Sequence, residues 1–63
     1  MSRAEQLLRQ HISSAVTSRR ISPIAAARHL SDLIRKGHPN KALALRVGLK
    51  MQAEQDLSIT SFR

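Results

Sequence analysis

The side chains of this 63-residue chain that could do chemistry are three histidines, four carboxylates, a scatter of hydroxyls and eleven lysines and arginines. His11, His29 and His38 fall on three different segments, and no pair has the i, i+4 spacing that sets two imidazoles on one helix face around a metal. With no cysteine, the chain has no thiolate metal site, no disulfide and no cysteine nucleophile. Serines are plentiful, but none sits in a glycine-flanked elbow, and Glu5, Asp32, Glu54 and Asp56 place no two carboxylates together for acid–base work. A concave substrate site would also consume core that so short a chain does not have. The residues therefore read as those of a protein that is not an enzyme, with no cofactor, no metal and no small-molecule substrate.

The basic residues carry more information. Eleven Lys and Arg against four Asp and Glu give a net charge of +7. Residues 1–50 hold ten bases and two acids, while residues 51–63 hold one base and two acids. A basic body with a near-neutral end suits a polyanionic partner, nucleic acid first. Some of the charge has a local use: Arg28-Asp32-Lys36 and Arg46-Lys50-Glu54 have the spacing of helix-surface ion pairs. Arg19, Arg20 and Lys41 have no such neighbour, and Arg19, Arg20, Arg35, Lys36 and Lys41 are the candidate phosphate contacts. There is no Trp or Tyr and a single Phe, so base stacking is not expected.

The elements that position these residues follow from hydrophobic spacing and punctuation. Ser2 and Glu5 stand in capping-box relation, and Ala4, Leu7, Leu8, Ile12, Ala15 and Val16 line one face of a helix over about 3–18. After the link Arg19-Arg20-Ile21, Ser22-Pro23 is a strong helix start. The spacing predicts a second helix over about 23–36, with Ile24, Ala27, Leu30 and either Leu33 or Ile34 inward and Gly37 ending it. Pro39 or Asn40 opens a third helix that runs to about Gln55. The connector from Lys36 to Lys41 is short enough to fold helices 2 and 3 into a hairpin.

Helix 3 carries two apolar stripes: Leu43, Val47 and Met51 on one face, and Ala42, Leu45, Leu49 and Ala53 on another. A surface helix of a lone small domain needs one. Gly48, with Ala44 a turn before it, makes a flat strip for close helix approach. These features predict a homodimer through Leu43, Ala44, Val47, Gly48 and Met51. Beyond Asp56, the alternation Leu57-Ser58-Ile59-Thr60 reads as an extended or flexible tail over 57–63, following a single helical domain over 1–56.

The stretch Leu33–Ala42 resembles the helix-hairpin-helix motif of non-sequence-specific DNA binders, in which a glycine turn and a helix N-terminus present amides to a phosphate. It departs from that pattern at Pro39, where the family has a second glycine. The six-residue connector is longer than a helix-turn-helix usually allows, and the residues around Lys41, Arg46 and Lys50 are apolar, so base reading is not expected. The sequence thus predicts an all-α, three-helix protein, cytoplasmic and not membrane-bound, with no signal peptide. Its expected role is to contact nucleic-acid phosphates as an accessory or regulatory protein with little sequence readout. The alternative is an inhibitor or adaptor that binds a protein partner through a helix face.

Overall fold

Ser2 and Ser22 each open a helix by the same device. Both have extended backbone, and each hydroxyl oxygen accepts the amide three residues on, Glu5 N–H for Ser2 and Ala25 N–H for Ser22, at 3.2 Å. A free amide of the first turn is thereby satisfied, and Pro23 at the first position of its helix loses nothing by lacking an N–H. The structure, a computed structural model, describes the backbone of residues 2–61 and the side chains of residues 2–57. It consists of three helices, α1 (Arg3–Arg19), α2 (Pro23–Leu33) and α3 (Pro39–Ser61), with no strand among the described residues.

Two boundaries differ from expectation. α2 stops at Leu33 rather than near Lys36. Ile34 leaves the helix in extended conformation, with its N–H on Ser31 O at 3.0 Å. This change turns Ile34 onto the core and leaves Leu33 71% exposed. Arg35–His38 then close a turn through His38 N–H to Arg35 O at 3.0 Å. Gly37, at φ +87°, takes the left-handed position of that turn instead of capping the helix.

At the other end, residues 57–61 continue α3 and are not extended. After Gly48 no glycine or proline interrupts the helix. Adding a residue to a helix gains one hydrogen bond, whereas a four-residue strand has no partner. Phe62 and Arg63 lie outside the described residues.

The core is Leu8 and Ile12 from α1, Ala26 and Ala27 from α2, and Ala44 and Val47 from α3. Ala15, Val16, Ile21, Leu30, Ile34, Leu43 and Met51 pack around it. α2 and α3 share the most extensive contact, and the reason is size: a Cβ on Gly48 would overlap the Ala27 methyl and lie 3.3 Å from Pro23 O. Helices meet this closely only where side chains are nearly absent.

α3 also caps α2 at both ends. Lys41 Nζ donates to Ser31 O at 2.6 Å and to Ile34 O at 3.4 Å, while Gln52 Oε1 accepts from Ile24 N–H at 3.5 Å. Lys41 and Gln52 are eleven positions apart on α3, about 16 Å at 1.5 Å per residue, which matches the eleven residues of α2.

The homodimer surface expected at Leu43, Ala44, Val47, Gly48 and Met51 is therefore used within the chain. Ala44, Val47 and Gly48 are buried, and Leu43 and Met51 pack on the core. The strip of small residues is a site of close approach, and the helix that approaches it at Gly48 is α2. The second stripe of α3 is the exposed one, with Leu45 40% and Leu49 59% accessible.

Candidate nucleic-acid interface

Four of the five candidate cations lie at the two ends of α2. Arg19 and Arg20 form the exit of α1, and both are exposed. Arg20 is the C-cap of α1 in left-handed conformation, φ 55° and ψ 47°, and is the one non-glycine residue with positive φ among those described. An L-residue pays a conformational penalty there that glycine does not. Arg35 and Lys36 project from the turn after α2, and both are exposed. None of the four takes part in an ion pair among the described residues.

Lys41 stands apart. Its ammonium is held on the α2 carbonyls of Ser31 and Ile34, where the negative end of the helix dipole favours a cation. The buried Ser31 hydroxyl returns a contact to Lys41 O at 3.4 Å. Lys41 thus sets the connector that carries Arg35 and Lys36, and its charge is not free as the sequence suggested.

The helix N-terminus that the helix-hairpin-helix resemblance assigns to a phosphate is occupied as well. Pro39 has no N–H, Asn40 N–H donates to His38 Nδ1 at 3.0 Å, and Lys41 N–H donates to His38 O at 3.0 Å. His38 is accordingly the cap of α3, with Nδ1 as acceptor. At the start of α3, an anion would find no free amide on residues 39–41.

The remaining charges bind the helices to one another. Arg9 grips Glu54 with both terminal nitrogens, at 2.8 and 2.7 Å. These hydrogen bonds hold the Glu54 carboxyl below the ordinary glutamate range and push the Arg9 guanidinium up. Lys50 lies 3.8 Å from Glu5, also across α1 and α3. Glu54 therefore pairs 45 residues away and not with Lys50 on its own helix. Arg28, Asp32 and Lys36 form no ion pair among the described residues. No local spacing could have foretold the Arg9–Glu54 pair, because it depends on how α1 crosses α3.

His11, His29 and His38 are all exposed and on separate elements, and among the described residues no three His, Asp or Glu side chains gather as metal ligands. An open groove beside α1 is lined by Gln6, Arg9, Gln10, Ser13, Ser14, Thr17, Ser18 and Met51. Among the described residues no helix is long and apolar enough to cross a membrane. No protein-family model matches the chain, and neither a curated protein nor a solved structure matches it.

Proposed function

We propose that this chain is a small, non-enzymatic accessory or regulatory protein of the cytoplasm that contacts nucleic-acid phosphates through Arg19, Arg20, Arg35 and Lys36, without reading base sequence. The observation that carries this reading is the pair of exposed cationic dipeptides, without an ion pair among the described residues, at opposite ends of α2. Its eleven residues separate them by about 16 Å, several phosphates along a backbone. Arg20 adds support, since an arginine stands in a left-handed position that glycine would fill at lower conformational cost. Arginine also offers phosphate a planar fork of donors that lysine lacks.

Titration of a labelled duplex against salt tests the reading. Four phosphates neutralised correspond to a log–log slope of roughly −3.6, so raising salt from about 50 to 200 mM should weaken binding on the order of 100-fold. Replacing Arg19 and Arg20 by Glu, or Arg35 and Lys36 by Glu, should flatten the slope by about two units and leave the helical melt in place. No retention at low salt, or retention indifferent to salt, would refute it.

A second reading, a protein-interaction module working through a helix face, is favoured by one specific observation. Leu45 and Leu49 are exposed on α3 beside Ala42 and Ala53, a continuous apolar stripe on a helix whose other side is already buried. Self-association through α3 belongs to this reading, on the outer face of the helix.

A further inference from the structure

We infer that His38 is a proton-operated switch in the connector. Without a proton on Nδ1 it caps α3; with one it releases the Asn40 amide and stands as a third cation beside Arg35 and Lys36. The second half rests on the phosphate reading above, and the first half does not.

The cap depends on one lone pair. Pro39 has no N–H, Lys41 N–H goes to His38 O, and Asn40 N–H goes to His38 Nδ1 at 3.0 Å. A neutral imidazole has one nitrogen that donates and one that accepts, whereas the charged ring has two donors and no acceptor. Capping Asn40 and carrying a proton on Nδ1 therefore exclude each other. Asparagine and serine, favoured at helix starts, cap through an oxygen that keeps its lone pairs at every neutral or mildly acid pH. An imidazole in that place makes the cap answer to acid.

The surroundings put the new charge where phosphate can use it. His38 shares a cleft with Arg35, Lys36, Gly37 and Pro39, and its ring and both neighbouring cations are exposed. On α3 the first charged residue is Lys41, whose ammonium is held on Ser31 O and Ile34 O. On α2 the last turn carries Asp32, which forms no ion pair with His38, Arg35, Lys36 or Lys41 among the described residues. An added proton thus enlarges a cationic cluster that no carboxylate neutralises. His11 and His29 are exposed too, but neither accepts a backbone amide among the described residues.

Nuclear magnetic resonance of the free chain tests the first half without nucleic acid. Histidine takes up its proton between about pH 8 and about pH 5. Across that interval the Asn40 amide signal should move in step with the His38 ring signals. In His38→Asn, whose side-chain oxygen caps but does not titrate, the Asn40 signal should stay in place. His38→Ser is a second variant of the same kind, should the first fail to fold.

Salt titration of a labelled duplex tests the second half. One more phosphate neutralised should steepen the log–log slope by about 0.9 at the acid end and tighten binding on the order of tenfold at about 50 mM salt. His38→Asn should remove that difference. An Asn40 amide that ignores the His38 titration, or that moves equally in His38→Asn, would overturn the switch whatever the duplex does. A steepening that survives His38→Asn would overturn its use against phosphate. Absence of duplex binding at both ends of the range would refute the phosphate reading and the second half with it, while the Asn40 amide still decides the first.

Discussion

The inner and outer faces of α3 draw on similar apolar residue types and meet different environments. Inside lie Leu43, Ala44, Val47, Gly48 and Met51, packed on α1 and α2; outside lie Ala42, Leu45, Leu49 and Ala53, open to water. Total apolarity does not separate them, since the outer face holds two leucines and the inner face one. Size does. Gly48 lets α2 close onto α3 at Ala27, and a leucine there would hold the helices apart. The gain from dispersion contacts falls steeply with separation, so of two faces of similar apolarity the one that permits the closest approach turns inward.

Neighbouring residues on opposite faces put this contrast at risk most directly. Gly48→Ala adds one methyl, which would overlap the Ala27 methyl. Intrinsic helix propensity favours alanine by about 1 kcal/mol. Separating two packed helices costs more, and a net loss of about 2 kcal/mol is expected. That is a large share of the roughly 3–9 kcal/mol available to a domain of this length. Leu49→Ala removes three carbons from the adjacent position and should cost the monomer less than about 0.5 kcal/mol. Urea melts of both variants, at concentrations where the chain is monomeric, decide the matter. If Gly48→Ala stabilises, or if Leu49→Ala is the more damaging change, the assignment of faces is wrong.

How far these faces could be read in advance depends on whether the deciding physics was local. The caps Ser2 and Ser22, the entry at Pro23 and the two stripes of α3 are written in short spacings, and each spacing fixes a helical feature regardless of what surrounds it. Which stripe turns inward is not local, because it depends on Ala27 lying opposite Gly48, a match between residues 21 positions apart. The same holds for Lys41, whose charge looked free in the sequence and is spent on carbonyls of the preceding helix. Arg19, Arg20, Arg35 and Lys36, expected as phosphate contacts, are exposed, since residues flanking helix ends have few alternatives to solvent. The last turn of α3 was missed for the opposite reason. Its period-two pattern is genuine, but over the four residues 57–60 it cannot outweigh propagation of a helix already formed.

The polar borders of the inner face sharpen the comparison by smaller amounts. At the α2 border, Lys41→Met keeps most of the apolar stem and removes the ammonium from Ser31 O and Ile34 O. Two carbonyls at a helix end lose a charged donor, which should cost about 1 kcal/mol. In a domain of this size that corresponds to a fall of about 4–8 °C in Tm. If Lys41 were chiefly a phosphate contact, the melt would not move and duplex binding would fall as far as it does for Arg35 and Lys36. A lowered Tm with retained binding per folded molecule assigns Lys41 to the border, as a positioning residue.

At the α1 border, the smallest effect is expected from acid. The Arg9 hydrogen bonds hold Glu54 below its ordinary range, so the folded state binds this proton more weakly than the unfolded chain does. The stabilisation is therefore complete above the ordinary glutamate range and is lost as pH falls through the lowered folded value. Both side chains are partly in water, 30% and 57% accessible, which screens the pair and keeps the change slight. Thermal melts of the native chain and of Glu54→Gln between neutral and acidic pH separate this contribution from the other carboxylates. The two curves should converge on the acid side and part above it. Equal separation at every pH would mean that the Glu54 charge adds nothing to the docking of α1, leaving apolar packing to dominate the inner face on the α1 side as it does at Gly48.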